Sequence, residues 1–262
     1  MKKSFILGVF VTVFIVASAF TACLNPTDNT SDNSSGNSSG NPSGNQSKIF
    51  TSIADFGTWL ANKDANTAAT AYTVKLNVND LGGASSASGS VGAFIKAYSA
   101  TTNTTNSTKY VSLDLSGSTL TGIEDYAFAS CRNLTGITLP NSITGIGDFA
   151  FSFCTSLVGV TIPNKVTSIG DFAYQGCSSL TSIVIPSSVT KIGDRSFNSN
   201  TNLTSVTFQG TIASGNFHSD GFFPSTMGDL RAKFYATNAT NGTAGTYTTT
   251  APVSATSVWT KK

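Results

Sequence analysis

Between Leu120 and Phe208 one phrase recurs four times at a fixed interval. Ile123-Glu-Asp-Tyr-Ala127-Phe128 is followed by Ile146-Gly-Asp-Phe-Ala150-Phe151, Ile169-Gly-Asp-Phe-Ala173-Tyr174 and Ile192-Gly-Asp-Arg-Ser196-Phe197. The offsets 150−127, 173−150 and 196−173 are all 23, with no slip. Each copy runs on into Leu-x-x-Ile-x-Leu-Pro or a close variant, at Leu134–Pro140, Leu157–Pro163 and Leu180–Pro186. The last, Leu203–Phe208, has Gln209 in place of the proline. A period of this length marks a solenoid, in which one coil cannot bury its apolar face alone and its neighbours complete the core.

The Leu-x-x-Ile-x-Leu stretch alternates with period two and carries threonine and β-branched residues between, so it predicts a strand. Proline has no N–H to give to a ladder and ends that strand. Equivalent strands then lie side by side in a parallel sheet, about 4.8 Å apart. Leu134, Ile137 and Leu139 point inward, stacked with Leu157, Val160 and Ile162 and with Leu180, Ile183 and Ile185. The alternate positions Ser112, Asp114, Gly136, Thr138, Gly159, Thr161, Ser182, Val184, Ser205 and Thr207 point outward as a flat, hydroxylated, nearly uncharged face. It is the candidate binding face, because solenoid faces often bind. Threonine and serine also simply suit an exposed sheet, and no aromatic or arginine anchor stands among them.

The return half of each coil holds Asp125, Asp148, Asp171 and Asp194 in register. Calcium needs several oxygen ligands, and one acidic position per coil falls short of that. A capping Asp that opens a short helical turn is the preferred reading. Cys131, Cys154 and Cys177 share a second register, with Asn200 in the fourth place. Zinc wants a tetrahedral cage of four ligands, which three thiols in a row and the remote His218 do not supply. A disulfide between adjacent coils would strand one thiol, so buried free thiols are expected.

This pattern resembles the BspA-like leucine-rich-repeat family of surface proteins from host-associated bacteria, spirochaetes included. The residues that carry the resemblance run from Ile146-Gly-Asp-Phe-Ala-Phe-Ser-Phe-Cys154-Thr-Ser-Leu157 through Val160-Thr-Ile-Pro163 to Val166-Thr-Ser-Ile169. They imply a short, mainly β solenoid that adheres to host-cell or matrix proteins, to glycans or to other bacteria, without a cofactor. The spacing by itself implies only the solenoid.

Met1-Lys2-Lys3 and the apolar run from Phe5 to Ala17 form a secretory signal over residues 1–22. Phe20-Thr-Ala-Cys23 fits a lipoprotein cleavage site with Cys23 as the acylated residue, although Phe20 stands where leucine is usual. An uncleaved membrane anchor is the alternative, since the run approaches the length of a span. Residues 23–48 are almost wholly Asn, Ser, Gly, Asp, Thr and Pro, a composition that cannot bury apolar surface and serves as a tether.

Residues 49–108 are expected to form an N-terminal cap, with helical spacing over Thr51–Lys63 and Ser90–Ala100 and a strand over Tyr72–Val78. Trp59 belongs to its core. Tyr110–Leu115 is the first strand in repeat register, where 134−110, 137−113 and 139−115 all give 24. The repeats occupy 109–212. A β-rich C-terminal cap follows over 213–262, with strands expected at Lys233–Thr237, Gly245–Thr250 and Val258–Thr260. Its sequence resembles the ends of treponemal members of the family. Phe222 and Phe223 are expected either to cover the open last coil, the preferred reading, or to form an exposed docking point.

Charged residues make up 11% of the chain and the net charge is +2, so no basic stripe points to nucleic acid. One histidine, without a metal motif or a phosphate-cradling loop, gives catalysis nothing to stand on. The resulting expectation is a lipid-anchored, extracytoplasmic binding module on the outer-membrane surface, acting as an adhesin. A structural envelope lipoprotein that faces the periplasm, with no host ligand, is the alternative from another class.

Overall fold

The computed structural model describes residues 48–99, 108–218, 221 and 228–262. Its front sheet begins before the repeats. β1 (Lys48–Phe50), β2 (Tyr72–Leu76), β3 (Val111–Asp114), β4 (Leu134–Thr138) and β6 (Val160–Thr161) pair in that order, all parallel. A second run continues the same face: β8 (Ser182–Ile185) pairs with β10 (Ser205–Phe208) in parallel, and β11 (Gly245–Thr248) and β12 (Thr260–Lys261) add antiparallel strands. β6 and β8 do not pair, so the front ladder is interrupted between the third and fourth coils.

The return half of the coils builds a sheet of its own, which the alternation in the sequence does not reveal. β5 (Gly145–Ile146), β7 (Ser168–Ile169) and β9 (Lys191–Ile192) pair in parallel, and single bridges at Ile123 and Phe217 extend the row at both ends. Partners such as Ile137↔Val160, Ile146↔Ile169 and Val184↔Thr207 lie 23 residues apart, as the repeat requires. Between the two sheets Leu134, Leu157, Leu180 and Leu203 are fully buried, with Ile146, Ile169 and Ile192 facing them from the return side. Each such side chain contributes roughly 1.5–3 kcal/mol through burial. That stabilisation depends on the coils on either side.

Among the described residues, three α-helices stand outside the front and return strands: α1 (Ile53–Ala61), α2 (Val91–Ala97) and α3 (Leu230–Tyr235). Ser52 and Ser90 cap α1 and α2 by accepting from Asp55 N and Ala93 N, as N-cap serines do. Lys109 ties α1 to the first coil. Its ammonium is buried against the Tyr98 ring and donates to the Leu60 and Ala61 carbonyls, both at 2.8 Å.

Three expected elements differ, and the simplest is the strand expected at Val258–Thr260, which is β12 at Thr260–Lys261. Leu134 pairs with Val111 rather than Tyr110, and the register then shifts, so that Leu113 meets Ile137. The offset of 24 therefore holds only after a bulge that absorbs Thr135, whose hydroxyl donates to the Val111 carbonyl at 3.1 Å. Lys233–Thr237 is not a strand, because residues 230–235 are helical. Leu230 and Phe234, one turn apart, are the buried pair, and Phe234 packs on Phe208 with ring centroids 4.3 Å apart. A five-residue stretch is too short to separate the two periods, and packing on the last coil selects the helix.

Candidate functional site

Of the ten outward positions, the eight that are not glycine, Ser112, Asp114, Thr138, Thr161, Ser182, Val184, Ser205 and Thr207, lie on the front strands. Register places Asp114, Thr138 and Thr161 in one row across β3, β4 and β6. Ser182 pairs with Ser205, and Val184 with Thr207, in the second run. Thr138, Thr161, Ser182 and Val184 are exposed, whereas Ser112, Asp114, Ser205 and Thr207 are half-buried.

Neighbouring strands explain that difference and widen the face. Lys75 on β2 sits opposite Asp114 and pairs with it at 3.8 Å. Burial pushes the Asp114 carboxyl up, but hydrogen bonds from Ser116 and the Lys75 charge outweigh it and hold the group below its ordinary value. At the other end the Thr207 and Thr246 hydroxyls share a hydrogen bond of 2.9 Å across β10 and β11. Thr73, Lys75 and Thr246 are thus face residues outside the repeat period. The alternation in Tyr72–Val78 was the available signal for the first two. Two exposed apolar side chains, Val158 and Val184, flank the interrupted part of the ladder.

The return side carries a different surface. Residues after each Asp form turns, not a helix, so the helical-cap reading of Asp125 and its equivalents is incorrect. The turn is itself a ladder. Tyr126, Phe128 and Ser130 donate their N–H groups to Asp148, Ala150 and Ser152 of the next coil, and Phe149, Phe151 and Phe153 repeat the pattern onto Asp171, Ala173 and Gln175. Each Asp carboxylate caps the coil after it: Asp125, Asp148 and Asp171 accept from Asp148 N, Asp171 N and Asp194 N, all at 2.7 Å.

Reaching those donors requires close approach, which accounts for the glycine before each Asp. A Cβ on Gly147 would lie 2.5 Å from the Asp125 carboxylate, and one on Gly170 the same distance from that of Asp148. The first copy has Glu124 because no capping Asp precedes it.

The turn also aligns two rows of rings. Phe128, Phe151, Tyr174 and Phe197 stack inside, with centroids 5.3, 5.1 and 5.4 Å apart. Tyr126, Phe149 and Phe172 stack outside at 4.8 and 4.6 Å, and Arg195 closes that row over the Phe172 ring at 5.7 Å. The outer residues all have left-handed φ, from 48 to 60°. Sequence reasoning missed this outer row, although the aromatic between Asp and Ala is legible in three of the four copies.

Inside, the Cys154 and Cys177 thiols donate to the carbonyls of Phe128 and Phe151, both at 3.1 Å, and Cys131 donates to Gly92 at 3.3 Å. All three are unpaired and fully buried. Burial pushes Cys131 and Cys177 up to about 12, and Cys154 well above its ordinary value. Among the described residues no group of three or more His, Cys, Asp or Glu could hold a metal ion. His218 lies beside Asp194, 3.3 Å away, at the end of the Asp row. Cys23, the signal, nearly all of the tether, and Phe222 and Phe223 lie outside the described residues.

Stacked parallel sheets with a leucine and isoleucine interior in 23-residue register define a leucine-rich-repeat solenoid. Residues 102–223 match the BspA type leucine rich repeat region in 6 copies. Among solved structures, the chain is similar to a leucine-rich repeat protein from Bacteroides ovatus (35% identity over 37% of this chain and 25% of that one, TM-score 0.34). It is also similar to the T. pallidum leucine rich repeat protein (36% identity over 37% of this chain and 44% of that one, TM-score 0.34). A leucine rich cell surface protein from Faecalibacterium prausnitzii matches at 26% identity over 55% of this chain and 41% of that one, with a TM-score of 0.37. The matched segments span less than half of each of these proteins. No curated protein matches the chain.

Proposed function

We propose that this chain is an extracytoplasmic adhesin, a partner-binding module held to the outer-membrane surface by a lipid on Cys23. The supporting observation is the front sheet: exposed Thr138 and Thr161 sit in register on the paired strands β4 and β6, and exposed Ser182 and Val184 lie on β8, the next strand in chain order along that face. A flat, hydroxylated sheet without anchors suits an extended protein or glycan met through many weak contacts. Many copies on one cell would then raise the avidity. The repeat family and the signal-like start of the chain support export.

The face is tested with the full chain, comparing wild type with Thr138→Lys and Thr161→Lys on a panel of matrix proteins and immobilised glycans. Both positions are exposed, so the melting temperature is expected to stay unchanged while binding is lost. Retained binding by both variants would move the site off this face.

A further inference from the structure

The return sheet has one edge that the fold leaves open. Ile123 gives its N–H to Gly145 and accepts from Gly147, so both of its backbone groups serve the next coil. Gly122 and Glu124 flank this single bridge, and in extended backbone the groups of successive residues alternate in direction. Both residues line an open cleft that they share with Asn79, Asp80 and Leu81. Among the described residues, the Gly122 carbonyl and the Glu124 N–H have no backbone partner. An unpaired strand edge is a template for another extended chain.

Two further observations give the missing chain a charge. Asp80, whose carboxylate accepts from Gly82 N at 2.7 Å, and Glu124 are exposed on the walls of the cleft, and among the described residues neither is in an ion pair. Two residues past Glu124, Tyr126 begins the outer row of rings. That row ends on a cation, Arg195, over Phe172. At its beginning Tyr126 has one ring partner, Phe149, and is 46% exposed. Ring faces attract ammonium and guanidinium groups; a cation already lies over Phe172 in this row, and the Tyr126 ring at its beginning is exposed to another.

We infer that this cleft binds an extended, basic segment of a protein partner, which adds a parallel or antiparallel strand at Gly122–Glu124. Main-chain bonds to Gly122 and Glu124 supply the pairing. Lysine or arginine side chains of the segment meet Asp80, Glu124 and Tyr126. The site is separate from the front sheet and does not depend on the function proposed for it.

The probe is the fluorescein-labelled peptide Lys-Val-Lys-Val-Lys-Val, titrated against the full chain by fluorescence anisotropy at low salt. Saturable binding is expected. At unchanged charge, N-methylation of alternate amides should weaken it by about tenfold or more, since a blocked N–H cannot pair. Glu124→Lys should weaken it comparably, and Tyr126→Asn, which suits the left-handed backbone, should weaken it severalfold. Thermal melts check that both variants fold, and Thr138→Lys should bind the peptide like wild type. Equal binding of the N-methylated peptide would overturn strand addition. Equal binding by Glu124→Lys, or by the matching Glu-Val peptide, would overturn the charge recognition, and no binding at millimolar peptide would overturn the site.

Discussion

The glycine of Ile-Gly-Asp carries more of the architecture than its size suggests. Its constraint is close approach, since Gly147, Gly170 and Gly193 do not have left-handed φ. Gly170→Ala would press a methyl against the Asp148 carboxylate and backbone, and overpacking of this kind costs about 1–3 kcal/mol. Urea denaturation should register that loss, whereas Glu124→Ala, with no preceding Asp to meet, should cost far less. The thiols give a second check at this scale. A group titrating near 12 and shielded from solvent offers almost no thiolate at pH 8. Cys131, Cys154 and Cys177 are therefore expected to resist iodoacetamide in the native protein and to be alkylated together once urea unfolds it, as followed by peptide mass spectrometry. Alkylation of any one of them in the native state would contradict the burial described for it.

At the scale of elements the coils stabilise one another through four parallel rows: the front strands, the return strands, the hydrogen-bonded turn and the stacked rings. Leu157 is fully buried between the equivalent leucines of neighbouring coils. Leu157→Asp should remove several kcal/mol and strip hydrogen-exchange protection from adjacent coils as a group. An unchanged melt in that variant would contradict the stacking. Much of this was legible in the chain: the period gave the solenoid, and Leu-x-x-Ile-x-Leu gave β4, β8 and β10 and their outward residues. The return sheet was not, because strands of two residues such as Ser168–Ile169 are too short to show an alternation. Nor was the Asp ladder. A carboxylate that caps the next coil leaves the same sequence trace as one that caps a helix. The end of the chain misled for a related reason, since Phe234 is buried by contact with Phe208 and no local pattern in Lys233–Thr237 records it.

On the scale of the whole molecule, the front sheet is longer than the repeats, with β1 and β2 added before them and β11 and β12 after. The candidate binding face accordingly extends past the eight residues that the period marks, and its charged element, the Lys75–Asp114 pair, lies at the N-terminal end. The proposed role as an adhesin requires that this face be presented outside the cell. Protease shaving of intact cells, with a periplasmic protein as control, tests that most directly, because the Asn/Ser/Gly tether is the expected cut site. Loss of the protein while the control survives is the result expected of a surface adhesin. Survival of both would contradict it and leave an envelope protein facing the periplasm.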